Sequence, residues 1–200
     1  MKQKGTILLI VLVSCIVVFT MVLNLLKLKT SSYNPSTDKR IIKTEIERNN
    51  FKVIAETYLK KSICDASYNM FKAEIAQNPA IDIHDLNERV ALQILGNSII
   101  SYNSDFFRKY SSGEFEIYEN SFTPQTYETP KLVYYRYSKD VTEQYRLASI
   151  ISYIISDRKG KYNINIRLIC FCPVITQEEY DKILSGEEIV LNDENLVYGL

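Results

Sequence analysis

The feature that most constrains this 200-residue chain is an uncharged apolar segment close to its first residue. Residues 5–26 are 22 positions without a charge. As a helix at ~1.5 Å per residue they would extend roughly 33 Å, enough to cross the hydrocarbon core of a bilayer. A cleavable secretory signal has an apolar core of only about 7–15 residues, followed by a small-residue cleavage site. The length therefore predicts that residues 1–29 form a basic leader and a transmembrane anchor.

Residues 12–15 (LVSC) also fit a second interpretation, a bacterial lipoprotein signal in which Cys15 is lipidated and becomes the first residue. The apolar run continues through residues 16–23, where a lipoprotein normally begins a polar tether. We favour a small buried cysteine in a membrane helix. Lipidation of Cys15 stays open at this point.

Charge is distributed unevenly along the chain. Residues 1–29 hold four lysines and no acid, which leaves 20 basic against 24 acidic residues in 30–200, a net charge of about −4. The lysines flank both ends of the apolar segment, so the positive-inside rule is nearly balanced. A short basic leader before a long polar domain is typical of a cytoplasmic N-terminus and an extracytoplasmic body. Nucleic-acid binders carry a clustered basic patch; none occurs here, so we expect no nucleic-acid partner.

Beyond a polar hinge at 30–38, the pattern predicts an extracytoplasmic α+β domain over 39–200. Residues 39–77 contain no Gly or Pro and repeat apolar residues at three- and four-residue steps, which predicts one long amphipathic helix. A second helix is expected to begin near residues 85–88 (DLNE), where Asp85 and Glu88 have the spacing of a capping box with Asp in place of the usual Ser or Thr. The predicted buried stripe of the long helix is Phe51, Ile54, Ala55, Tyr58, Ser62, Ala66, Met70 and Ala73. That of the second helix is Leu86, Val90, Ala91, Ile94, Leu95, Ser98, Ile99 and Tyr102.

After residue 113 the hydrophobic period changes to two, which is typical of strands. The last two predicted strands flank the turn 157–160 (DRKG), so they should form an antiparallel hairpin. On the final strand Asn163, Asn165 and Arg167 alternate with apolar residues, which predicts one buried and one wet face. The predicted elements are strands at 114–119, 131–138, 145–156 and 161–172, a short helix at 177–184 and a tail strand at 188–191.

The predicted helix layer and the predicted sheet each depend on packing against the other for stability. A two-stranded hairpin is marginal in water, and a helix with one apolar stripe gains most of its stability from tertiary packing. We therefore expect the long helix to lie across the sheet face that presents Ile164, Ile166 and Leu168. The predicted architecture is a transmembrane helix, then a long amphipathic helix and a second helix packed on a small antiparallel sheet.

Three cysteines fall in the predicted extracytoplasmic part: Cys64, Cys170 and Cys172. A disulfide between Cys64 and one strand cysteine is one interpretation, and it leaves an odd thiol. The other is that Cys170 and Cys172 are small core residues. One Cys-x-Cys pair and the single histidine, His84, do not make a tetrahedral ligand set, so we expect no metal and no other cofactor. No nucleophile elbow or other catalytic signature occurs, so we expect a non-enzymatic protein.

Two stretches match motifs of one known family. The dipeptide KG at 4–5 directly precedes the apolar run, and residues 49–61 (NNFKVIAETYLKK) are similar to an Asn…Phe-x-x-Ala-Glu-x-x-Leu stretch that follows an anchor. With the order of elements, these features resemble the type IV pilin-like proteins, in particular PilX-type minor pilins. The matched residues of the second stretch are Asn50, Ala55, Glu56 and Leu59.

The resemblance implies processing, partners and a role. By analogy a prepilin peptidase would cut between Gly5 and Thr6, and the hairpin at 145–172 would cover the pilin helix. Most pilins have glutamate at the fifth mature position, where this chain has Ile10. That departure resembles tip-type pseudopilins, which need no subunit ahead of them.

Two functions follow as expectations. The first is a non-catalytic, single-pass minor pilin or pseudopilin-like subunit for a type IV pilus, competence or type II secretion filament. Its partners would be the membrane, other pilin-like subunits, the assembly platform and the prepilin peptidase. The alternative is a permanently anchored extracytoplasmic binding module of the cell envelope with no filament role. Both place the N-terminus in the cytoplasm and the body outside the cell membrane.

Overall fold

The computed structural model describes residues 35–115, 122–138, 143–191 and 196–200. Outside them lie the apolar segment at 5–26, the predicted cleavage position at Gly5 and Thr6, and Cys15. Among the described residues, no helix combines the length and the hydropathy that a membrane crossing requires.

The chain divides into two compact units, Met1–Thr44 and Glu45–Leu200. In the described part of the first unit the backbone is helical, and the Thr44 hydroxyl donates to the Arg40 carbonyl over 2.8 Å. The second unit contains the core.

The second unit is an α+β fold, as the sequence predicts. Its four strands form one antiparallel sheet in the order β1-β2-β3-β4. A π-helical turn at Gln93–Ser98 joins the second and third helices. The helices are α1 (Pro35–Gln77), α2 (Ile83–Leu92), α3 (Ile99–Ser112) and α4 (Gln177–Leu184). The strands are β1 (Phe122–Ser138), β2 (Glu143–Asp157), β3 (Asn163–Phe171) and β4 (Val197–Gly199).

The predicted hinge at 30–38 is wrong in its second half. Helix α1 begins at Pro35, so residues 35–38 are helical, and 30–34 lie outside the described residues. Proline suits the first helical position because its missing N–H would have no partner there and its φ is already helical.

The buried stripe of α1 follows strict four-residue spacing. A four-residue step rotates about 400°, so the stripe advances about 40° around the helix at every step. The predicted stripe is correct at Phe51 and Ala55 but then falls one residue early, and Ala73 is exposed. The buried positions are Glu47, Phe51, Ala55, Leu59, Ile63, Ser67, Phe71 and Ile75.

A stripe that winds around its helix cannot be covered by one flat surface. Near its start, the Phe51 ring meets Phe106 and Tyr110 of α3 and Tyr153 of β2, at centroid distances of 5.4, 4.7 and 4.9 Å. Ten residues before the end of the helix, Ser67 instead contacts Cys172, just beyond β3. The partners of α1 therefore change along its length.

The segment predicted as the second helix forms three consecutive elements: α2, the π-helical turn and α3. Helix α2 starts at Ile83 with Asp82 as its N-cap, whose carboxylate accepts from His84 N at 2.8 Å and Asp85 N at 3.4 Å. The predicted cap at Asp85 is therefore wrong by one turn. The π-helical turn inserts one extra residue, which lets Ile94 and Leu95 both point inward.

Two of the predicted strands are wrong in the described residues. Glu114 and Phe115 are not in a strand, and the rest of 114–119 is not described. Residues 188–191, predicted as a tail strand, are coil. Val190 in this segment is 86% exposed and pairs with no strand. The last strand of the sheet is β4 instead.

The β2–β3 hairpin is confirmed. The side chain of Asp157 accepts from the backbone N–H of Lys161 at 2.7 Å and of Tyr162 at 3.1 Å. Gly160 supplies the left-handed residue of the turn, with φ of 65°. The turn sets the register in which Ile166 pairs with Tyr153 and faces the helices.

Changing Ile166 to Asp should destabilise the protein by more than ~3 kcal/mol, because an unpaired carboxylate would enter the helix–sheet seam. Ile166 is 3% exposed, whereas its neighbour Asn165 is exposed on the opposite face. Asn165→Asp is the matched control and should cost less than ~0.5 kcal/mol. Thermal unfolding of the full chain in detergent, followed by near-ultraviolet tyrosine dichroism, measures both. Equal losses would contradict this assignment of the two faces.

Candidate functional site

A cavity of about 360 Å³ lies between α2 and the end of the β1–β2 hairpin. Its lining combines side chains of one helix, the helix-facing side of two strands, and the chain just beyond β3. We call it the hairpin-end cavity. The polar and aromatic residues of its lining are His84, Asn87, Glu88, Tyr134, Tyr145, Arg146 and Cys172.

Strand register places the two tyrosines on the helix-facing side of the sheet. Tyr134 pairs with Leu147, and Arg136 pairs with Tyr145. Directly paired residues point to the same face and alternate residues repeat it, so Tyr134 and Tyr145 share the face of Tyr153. Both tyrosines are nevertheless 72% exposed, because the hairpin extends past the covering helices. This end presents aromatic surface to solvent.

The opposite wall of the cavity is held by Asn87. Its amide donates to the Ile175 carbonyl at 3.1 Å, and its carbonyl accepts from the Ile175 N–H at 3.0 Å. These two bonds join α2 to the segment that follows β3. On the same helix, His84 and Glu88 are exposed at the cavity rim. His84 is therefore a surface residue near the start of α2.

The Cys172 thiol is the cavity's inner boundary. Burial raises its pKa to about 12, Cys64 contributes in the same direction, and the hydrogen bond to Ser67 opposes the shift. The Cys172 sulfur is therefore protonated at neutral pH, and a protonated thiol is a poor nucleophile.

In the described part of the chain, no three His, Cys, Asp or Glu side chains are grouped to hold a metal ion. The geometry fits binding of a small polar molecule or a partner side chain.

Of the other predicted site residues that the structure describes, Cys172 lines this cavity, whereas Cys64 and Cys170 are not among its lining residues. The three cysteines Cys64, Cys170 and Cys172 carry thiols rather than a disulfide. Cys170 is fully buried, and desolvation raises the pKa of its thiol. Glu56, one of the residues matched to the pilin motif, lies 3.9 Å from the Lys52 ammonium.

A second cluster, absent from the predictions, joins α1 to α3. The Tyr58 hydroxyl donates to Asp105, which also accepts from Arg108 at 2.8 Å and lies 3.0 Å from the Lys109 ammonium. The Arg108 guanidinium also forms an ion pair with the Glu114 carboxylate over 3.1 Å. The spacing of Asp105 to Arg108 and Lys109 on one helix is visible in the sequence. The part played by Tyr58, 47 residues earlier, is not.

Comparisons with known proteins identify no relative: no protein-family model, no curated protein and no solved structure matches the chain. The inference about function therefore rests on the chain's own residues.

Asp105 should titrate below the ordinary aspartate range. The Tyr58 hydroxyl is the largest cause of its lowered pKa, followed by Arg108 and Lys109. Because the folded pKa is lowered, ionised Asp105 stabilises the fold above the ordinary aspartate pKa, and this contribution is lost as the pH falls towards the folded pKa. Tyr58→Phe should raise the Asp105 pKa and reduce this acid-range dependence.

Carboxyl chemical shifts followed through an acid titration by NMR measure this pKa. Lys109→Met is the matched control, since Lys109 contributes less than the tyrosine. An Asp105 midpoint that does not move in Tyr58→Phe would contradict the assigned cause.

Proposed function

We propose that this chain is a non-catalytic, membrane-anchored subunit of the pilin-like type, a minor pilin or pseudopilin of a type IV pilus, competence or type II secretion filament. The observation that carries the proposal is the long helix α1, 43 residues from Pro35 to Gln77, packed on a four-stranded antiparallel sheet. The uncharged segment at 5–26 precedes this helix and is long enough for an anchor. The arrangement of anchor, long helix and covering sheet is the one that the motif resemblance implies.

The partner-facing surface that we propose is the exposed end of the β1–β2 hairpin. Tyrosine is enriched at protein interfaces because it buries a large rigid surface and keeps a polar tip. Tyr134 and Tyr145 are 72% exposed, and Leu132 and Tyr135 nearby are 41% and 38% exposed. In the described residues β1 pairs on one side only, with β2, so a partner strand could add to its other edge. Other pilin-like subunits and the assembly platform are the partners of this surface.

The alternative function, a permanently anchored binding module of the cell envelope, is favoured by the hairpin-end cavity. Its volume of about 360 Å³ falls in the usual range of small-molecule sites, ~300–1,000 Å³. Exposed Glu88, His84 and two tyrosine hydroxyls would give such a module its hydrogen-bonding groups. In this role the anchor would stay uncut.

Processing by a prepilin peptidase distinguishes these functions at the N-terminus. We expect that co-expression of the full chain with a prepilin peptidase removes residues 1–5 and leaves Thr6 first, because the dipeptide KG precedes the apolar segment. N-terminal sequencing of the membrane fraction measures this, with Gly5→Leu as the uncut control. An intact Met1 would contradict processing and favour the permanently anchored module.

Photo-crosslinking tests the proposed surface in the same cells. A photoreactive phenylalanine at Tyr134 should give adducts with other pilin-like subunits. The same group at Tyr162, an exposed tyrosine at the β2–β3 turn, is the matched control and should give fewer. Adducts restricted to envelope proteins that are not pilin-like would contradict the filament role.

A further inference from the structure

The thiol of Cys172 lies directly against helix α1. Ser67 Oγ and Cys172 Sγ are 3.3 Å apart, and both residues are buried. Each of these side chains has only one heavy atom beyond Cβ. The contact therefore requires the backbone of α1 to pass close to the chain at residue 172.

Cys64 is the cysteine of α1 that lies near the contact between Ser67 and Cys172. It precedes Ser67 by three residues, and side chains three apart on a helix are surface neighbours with Cβ atoms ~5–6 Å apart. Cys64 is half-buried and packs against the core. The influence of Cys64 in raising the pKa of the Cys172 thiol agrees with this proximity.

Cys170 occupies a different place under the helix. It lies two residues before Cys172, about 6.6 Å along an extended chain. The helical residue that acts on it electrostatically is Glu56. Glu56 precedes Cys64 by eight residues, about 12 Å along the helix axis. The observed contact of α1 in this region is with Cys172, through Ser67, so Cys172 is the partner that the packing favours for Cys64.

We propose that Cys64 and Cys172 are a modification site, at which an external disulfide oxidises them to one intramolecular disulfide while Cys170 remains a thiol. The supply of that oxidant rests on the proposed extracytoplasmic location, where such cross-links persist. The product ties α1 to the chain segment that forms the inner boundary of the hairpin-end cavity.

The reaction is two successive thiol–disulfide exchanges. Cys64, the more exposed thiol, loses a proton and its sulfur attacks the oxidant RSSR, which releases one RS⁻. Cys172 then loses its proton and attacks the Cys64 sulfur, which releases the second RS⁻. The two protons reprotonate the leaving thiolates, so the protein loses two hydrogens and RSSR is reduced to two RSH. Because Cys172 is buried, the second step is faster while the chain is still folding than after the core has closed.

The test uses the full chain refolded in detergent with a mixture of reduced and oxidised glutathione, then acid-quenched and alkylated with a maleimide. Of the four thiols in the chain, two should remain reactive after oxidation and four after full reduction. Trypsin releases Cys64 in residues 62–72 and both strand cysteines in 168–182, and chymotrypsin then separates these two by cutting after Phe171. Chymotrypsin also cuts after Tyr68, so mass spectrometry should find residues 62–68, which contain Cys64, linked to the fragment that contains Cys172.

The variants distinguish the pairings. Cys170→Ser should keep the cross-link, whereas Cys64→Ser and Cys172→Ser should each abolish it. A link to Cys170, a link between Cys170 and Cys172, or four reactive thiols after oxidation would overturn the proposal. The same alkylation on intact cells tests the location separately. A Cys64–Cys172 link formed in glutathione but absent from cells would uphold the pairing and contradict an extracytoplasmic body.

Discussion

The folded unit depends on the burial of one aromatic ring, Phe51, at the point where three elements meet. Its edge-to-face contacts with Phe106, Tyr110 and Tyr153 join α1 to α3 and to β2. Such ring pairs contribute about 0.5–1.5 kcal/mol each beyond the area that they bury. The Tyr153 hydroxyl donates to Asn103 over 2.5 Å, so the same cluster also satisfies a polar group inside the core.

From this cluster onward the winding of the α1 stripe determines where the other elements lie. Each four-residue step turns the buried side chain by about 40°, so successive segments of α1 need different partners. Beyond Phe51 these are α3, through its Asp105 cluster, and then the chain just beyond β3, at Cys172. Helix α2 is joined to the chain beyond β3 through Asn87 and Ile175. The β1–β2 hairpin extends past this cover, and the cavity with its two exposed tyrosines is the consequence.

Most of this fold is predictable from local pattern, and most of the site is not. The period of 3.6 identifies α1, and the period of two with the turn at Gly160 identifies the β2–β3 hairpin, because both signals lie within a few residues. The exact stripe beyond Ala55 is missed because its four-residue spacing departs from the mean helical period. The proximity of Ser67 to Cys172 joins residues 105 positions apart, and Asn87 to Ile175 joins residues 88 apart. Contacts of that separation follow from tertiary packing and leave no signal in a single sequence.

The claim that α1 and the sheet form one cooperative unit through Phe51 is tested most directly by native-state hydrogen exchange. The account predicts that amides of Leu59 in α1, Ile151 in β2 and Ile166 in β3 open with one common free energy. Phe51→Ala should lower that free energy by about 3–5 kcal/mol at all three positions. If Phe51→Ala reduces protection in α1 alone while the β2 and β3 amides keep theirs, the sheet is stable without the helix and the account is contradicted.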